Sequence, residues 1–307
     1  MTTAPINQTT ISTWFKGLQA RICQALEQED GKATFQEDAW QREGGGGGRT
    51  RIIQQGNVLE KGGVAFSAVH GAITEVMQQK LKMPSGEFFA TGVSIVLHPY
   101  SPHVPIIHMN VRYFELSQDD QIHQQWFGGG IDLTPIYIVP TQAKWFHQQL
   151  KQVCDQYHPD YYPQYKSWAD DYFYLPHRKE TRGVGGIFFD RLQPSDTNPL
   201  ESCWHFVQAV GEAFAPTYIH LMQENKTKTF DEQAKAWQSL RRSRYVEFNL
   251  VYDAGTKFGL ETNGRTESIL MSMPPEAHWR YNYQPDKDTP EAHTLQHLKK
   301  EIDWINL

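Results

Sequence analysis

Apolar residues recur along this chain at two spacings, and each predicts a different element. Near the N-terminus Phe15, Leu18, Ile22 and Leu26 lie three or four positions apart, a helical stripe with Ser12 as its candidate cap. Thr141 can cap a second helix carrying Phe146, Leu150 and Val153. Trp204, Val207, Val210 and Phe214 mark a third, and Leu295, Leu298 and Ile302 a C-terminal one. The middle of the chain alternates instead. Gly92 to His98 reads GVSIVLH, and Ile106 to Phe114 reads IIHMNVRYF; a period of two is that of a strand. Tyr245, Glu247 and Asn249 alternate with Val246, Phe248 and Leu250, which predicts a further strand, with Phe258 to Thr262 as its partner and Asn263–Gly264 as a turn. Helices toward the ends around a central sheet of consecutive strands give an α+β fold. No linker rich in Pro, Gly and Ser divides the chain, so residues 1–307 are expected to form a single domain.

The two alternating segments each have one apolar face. Val93, Ile95 and Leu97 oppose Ser94, Val96 and His98; Ile107, Met109, Val111 and Tyr113 oppose His108, Asn110, Arg112 and Phe114. Pro99, Pro102 and Pro105 punctuate the connection. A hairpin centred on Ser101 to Val104 places His98 opposite His108 and Ser94 opposite Arg112. A slip of one residue would send the polar set into the core, so registers that preserve the faces are expected. Solvated sheet faces favour Lys, Glu, Thr and Gln, whereas this one offers His, Asn, Ser and Arg. Histidine titrates near neutrality and is the commonest metal ligand; the arginine fork matches a carboxylate. A ligand site explains these types better than solvent does. A second segment, Trp126 to Pro135 (WFGGGIDLTP), sets an aromatic pair and three glycines before Asp132. It suits either a flat ring with N–H donors or a bulged strand and turn.

Composition narrows the function. With 29 Lys and Arg against 35 Asp and Glu, the net charge of −6 argues against a nucleic-acid partner, which a broad basic field would serve. The densest basic run, Arg241, Arg242 and Arg244, reads as a solvated helix end or loop. Cys23, Cys154 and Cys203 are far apart, which points to free thiols in a reducing compartment, by default the cytoplasm. The N-terminus lacks a basic segment followed by an apolar one, and no 18-residue apolar run predicts a membrane span. Gly44 to Gly48 matches no phosphate-binding pattern and is expected to be a flexible loop. No H-E-x-x-H occurs; His293 and His297 read as a solvated helix face. Spacing leaves open a four-histidine metal site from His98, His108, His147 and His177.

Seven blocks, QREGGGGGRTR, GVSIVLHPYSPHVPIIHMNVRYFE, WFGGGIDLTP, KSWADDYFYLPHR, RGVGGIFFD, RYVEFNLVYD and TNGRTESILMSMPP, together resemble the oxygen-dependent coproporphyrinogen III oxidases. They follow the family's order over roughly residues 30 to 285. Asn263 departs from the glycine of that pattern. The resemblance implies oxidative decarboxylation of two propionates of coproporphyrinogen III to vinyl groups, giving protoporphyrinogen IX in haem biosynthesis. It implies molecular oxygen as co-substrate and no flavin, haem or nicotinamide. It also implies a large flat antiparallel sheet flanked on both sides by helices, and a homodimer with an interface including about 245–275. Transferred by position, Ser94, Asn110, Val111, Arg112, Asn263, Gly264 and Arg265 would contact substrate. His108 would be the proton donor and Asp132 would face the pyrrole N–H groups. His98, His108, His147 and His177 would hold a divalent cation where one is bound. A non-catalytic tetrapyrrole carrier and a metal-dependent hydrolase are the competing readings; neither accounts for the ordered blocks.

Overall fold

The computed structural model describes residues 5–119, 121–262 and 264–307. Strands β1 (Gln36–Gln41), β2 (Gly46–Gln54), β3 (Leu59–Ala72), β4 (Glu87–Pro99), β5 (Ile106–Gln118) and β6 (Gln121–Thr134) follow one another across an antiparallel sheet. After a short hairpin of β7 (Tyr174–Leu175) and β8 (Glu180–Thr181), β9 (Gly185–Leu192) completes the sheet beside β6. The helices are α1 (Gln8–Asp30), α2 (Glu75–Leu81), α3 (Pro140–Asp155), α4 (Tyr161–Tyr172), α5 (Leu200–Asn225), α6 (Glu232–Val251), α7 (Ala254–Glu261), α8 (Thr266–Leu270) and α9 (Pro290–Gln296). The α+β class expected from the pattern is the one found.

Alternation decides which face is core. Val93, Ile95, Leu97, Ile107, Met109, Val111, Phe127, Ile131 and Leu133 are all buried, packed with Phe15, Leu18 and Ile22 of α1 and Trp204, Val207 and Phe214 of α5. Each such side chain contributes about 1.5–3 kcal/mol by leaving water. The opposite face is covered at its two ends. At one end Trp237, Leu240 and Tyr245 of α6 close over Val96 and Ile106. At the other, Ile73, Met77 and Met83 close over Phe88, Phe114, Leu116 and Trp126.

Several local expectations are corrected. The β4–β5 register pairs Gly92 with Arg112, Ser94 with Asn110 and Val96 with His108, two residues from the arrangement expected; an even shift leaves both faces intact. Residues 245–250 are helical, and Phe258 to Glu261 belongs to α7. The local alternation is overridden by the longer series Ala234, Trp237, Leu240, Arg241, Tyr245 and Phe248, buried at helical spacing behind the Asp231 cap. The basic run is interior: Arg241, Arg242 and Arg244 are 4%, 0% and 8% exposed, and Arg242 pairs with Glu60 at 2.5 Å. Asn263 lies outside the described residues; the Gly264 N–H donates to the Gly259 carbonyl at the end of α7. Gly46 to Gly48 are not loop but ladder: all three pair with β3, and Gly47 and Gly48 also with β1. A Cβ at Gly48 would come within 2.4 Å of the Trp40 ring, so the glycines let three strands close up. Asn7 and not Ser12 caps α1, while α3 begins at Pro140 with no side-chain cap. The C-terminal helix stops at Gln296, short of Leu298 and Ile302.

Candidate functional site

Between the two covered ends, the second sheet face carries a strip of partly exposed residues. Ala65, Ser67, Ala90, Gly92, Ser94, His108, Asn110, Arg112, Phe188 and Asp190 are all intermediate in burial. Their cross-strand pairing places them side by side: Ala65 with Ser94, Ser94 with Asn110, Asn110 with Gly130, Gly130 with Phe188. Small residues make the floor, and there a side chain would be in the way. A Cβ on Gly128 would stand 2.8 Å from Asp190 Oδ1 and 2.9 Å from Arg112 Nε.

Charge is set along the margin. Arg112 Nη1 donates to Asn110 Oδ1 at 2.8 Å, and Nη2 to Asp190 Oδ1 at 2.7 Å. Both members of the Arg112–Asp190 pair are about a third exposed, at 33% and 31%, so the pair contributes about 0–1 kcal/mol and yields to a ligand carboxylate at little cost. The guanidinium also lies 5.8 Å from the centroid of the Trp126 ring.

Beside it stands a deeper triad. Asp132 pairs with His108 across the β5–β6 ladder, and its Oδ1 lies 2.8 Å from His108 Nδ1. Arg182, just after β8, donates from Nη2 to both carboxylate oxygens at 2.7 and 2.8 Å, and from Nε to Oδ2 at 3.2 Å. Asp132 and Arg182 are 1% and 2% exposed, whereas the His108 side chain is 20% exposed. Burial alone would raise the Asp132 carboxyl, but the Arg182 guanidinium and His108 hold it below the usual carboxylate range. An ionised carboxylate only accepts, so His108 Nδ1 carries the hydrogen and Nε2 is left as the free ring atom.

The positions singled out from sequence divide into groups. Ser94, Asn110, Arg112 and His108 come together on the strip. Asp132 lies behind His108 with both oxygens engaged. The Val111 side chain is 0% exposed in the opposite core. Gly264 and Arg265 lie between α7 and α8, and Arg265 reaches β1, where it pairs with Asp38. The four histidines do not assemble. His98 is 0% exposed with Nε2 at 2.8 Å from the Ser272 carbonyl, and burial pushes it down to about 3. His147 is packed between Tyr162 and Trp304, its nitrogens on Tyr162 Oη and the Val184 carbonyl, and burial pushes it down to about 4. His177 bonds Tyr252 and Glu247. Among the described residues no group of three or more His, Cys, Asp or Glu side chains could hold a metal ion. As a set, then, the four histidines do not fit a divalent cation, and no step is assigned to one.

Sequence reading passed over Arg182 and Asp190. Both stand in RGVGGIFFD, as the charged residues flanking a glycine-and-apolar segment; neither the burial of Arg182 nor the partner of either residue is legible in that pattern.

The sequence model for "Coproporphyrinogen III oxidase" matches residues 10–304. "Oxygen-dependent coproporphyrinogen-III oxidase, mitochondrial" of Homo sapiens is 49% identical over 297 residues, covering 94% of this chain. The chain spans 65% of the length of that human relative. With a match over nearly its whole length, the chain belongs to the coproporphyrinogen III oxidase family.

Proposed function

We propose that this protein catalyses the oxygen-dependent oxidative decarboxylation of two propionates of coproporphyrinogen III to vinyl groups, forming protoporphyrinogen IX in haem biosynthesis. The observation that carries this reading is the strip itself, a floor of small residues running across neighbouring strands, with a carboxylate-seeking Arg112 and the His108–Asp132 pair at its margin. In each propionate the bond from Cα to the carboxyl carbon breaks, and its electron pair forms the new double bond. A proton leaves Cβ, and two electrons pass through the electron-rich ring to oxygen. Flavin, haem and nicotinamide have no task in that sequence.

Arg112 would draw a propionate away from its Asp190 partner, with Ser94 and Asn110 beside it at the ring edge. His108 would exchange protons at Nε2, and Asp132 would act through His108 by fixing that ring. Asn263, Gly264 and Arg265 would complete the contacts from the connection between α7 and α8, with Val111 supporting β5 from the core side. A homodimer using about 245–275 is supported by the exposed Leu250, Val251 and Leu260, at 47%, 51% and 41%. Among the described residues no helix is long and apolar enough to cross a membrane. Cys23, Cys154 and Cys203 are free and buried, which supports a cytoplasmic setting, although the human relative is named as mitochondrial.

The test is to admit oxygen to enzyme mixed anaerobically with coproporphyrinogen III, with and without chelator, and to follow vinyl product, oxygen uptake and carbon dioxide. Product in both arms is expected. Tight binding without oxygen uptake would make the protein a carrier, and product lost only with chelator would return a metal to the mechanism.

A further inference from the structure

Arg182 has a buried position and a single-minded geometry that the reaction as described does not use. We propose that Arg182 is a positioning residue: it clamps Asp132 so that this carboxylate holds the His108 ring with Nε2 turned to the strip. The kinetic part of this inference rests on the oxidase reading above; the orientation of His108 does not.

Two observations carry it. The first is the fork. A guanidinium that meets both oxygens of one carboxylate fixes the plane of that carboxylate as well as its charge. Asp132 presents Oδ1 to His108 from that fixed plane, so the ring orientation is inherited from Arg182. The second is the enclosure around the fork. The guanidinium carbon lies 4.4 Å from the Phe173 ring centroid, 4.7 Å from Tyr245 and 4.6 Å from Phe248. Those rings come from the end of α4 and from α6, two elements far apart in the chain. Three aromatic faces hold a planar cation far better than the compact ammonium of lysine. Phe173 also packs edge-on to His108, with centroids 6.1 Å apart, so one ring braces both ends of the relay. A group needed only to neutralise Asp132 would not require such a seat.

The test combines a double-mutant cycle with a direct look at the ring, all in the full-length protein. Arg182→Met, Asp132→Asn and the double variant are assayed for kcat and KM of coproporphyrinogen III. Arg182→Met is expected to lower kcat on the order of 10–100-fold, the usual effect of losing an orienting partner, with KM within about threefold. In the Asp132→Asn background the same change should add less than about twofold, because the clamp then has no carboxylate to hold. Arg182→Lys, which restores charge but not the fork, should recover kcat only in part. Nitrogen-15 correlation spectra of His108 should show the neutral ring protonated on Nδ1 in the wild type and a mixture of tautomers in Arg182→Met. Full multiplication of the two single effects, or a wild-type His108 protonated on Nε2, overturns the proposal. If Arg182→Met does not fold, Arg182→Lys and the wild-type spectrum still decide it. If the wild type turns over no substrate, the oxidase reading falls while the ring orientation is judged on its own.

Discussion

The two faces of β4, β5 and β6 are built from neighbouring residues and obey opposite rules. On one face Met109, Val111, Phe127 and Ile131 interdigitate with α1 and α5, and each is 0% exposed. On the other, one residue along, His108, Asn110 and Arg112 are only partly buried, and Gly128 and Gly130 carry no side chain. The first face is made by filling space and the second by leaving it empty, with glycine, alanine and serine where a core would have leucine. The charged and ring groups of the second face do not wait unpaired. Arg112 is held by Asn110 and Asp190, and His108 by Asp132. The pairing is graded by depth: the exposed Arg112–Asp190 pair is cheap to exchange, whereas the buried Asp132–Arg182 pair costs about 3–5 kcal/mol to break by removing one partner. The difference teaches that rigidity and exchange can be assigned to adjacent residues of one strand by alternation alone.

Substitutions one residue apart on β5 should break that comparison if it is wrong. Met109→Ala is expected to cost about 2–5 kcal/mol of stability by opening a cavity in the filled face, read by urea unfolding. Its kcat below the melting transition should stay within about twofold of wild type, since Met109 touches only the core. Arg112→Lys should do the reverse. Losing the fork to a substrate carboxylate removes about 1.5–3 kcal/mol of charge-assisted bonding, so KM for coproporphyrinogen III should rise about 10–100-fold while stability moves by less than about 1 kcal/mol. A large stability loss in Arg112→Lys would mean the strip is structural.

What could be read in advance follows from the same division. Alternation over GVSIVLH and IIHMNVRYF reports a face fully buried against a face partly open, so strand, face and candidate residues were visible together. The register was not, because a shift of two leaves every face unchanged and only contacts outside the hairpin choose between them. Residues 245–250 misled because α6 is buried on most of its circumference, Arg242 and Ser243 included. An all-round buried helix loses the one-sided stripe by which helices are recognised. Arg182 was invisible for a further reason. Its partner is 50 positions away, and only the fold brings the bidentate pair together.

The smallest expected effect concerns histidines outside the strip, and it sharpens the contrast between a ring open to the strip and one that is sealed. His147 and His98 are fully buried, and burial pushes them down to about 4 and about 3. In the unfolded chain both sit near the ordinary value of about 6.5. A depressed folded pKa gives stability that is complete above the unfolded value and is lost as pH falls, because only the unfolded chain takes up the proton between the two. From about pH 6.5 down toward about 4, each ring should therefore cost about 1.4 kcal/mol of stability per pH unit. His147→Gln removes one of the two protons from that linkage. Urea unfolding at pH 6, 5.5 and 5 should show a slope shallower by nearly this amount, whatever the variant's absolute stability. An unchanged slope in His147→Gln would show that His147 takes up its proton in the folded state, and that its place between Tyr162 and Val184 is not the sealed one its contacts describe.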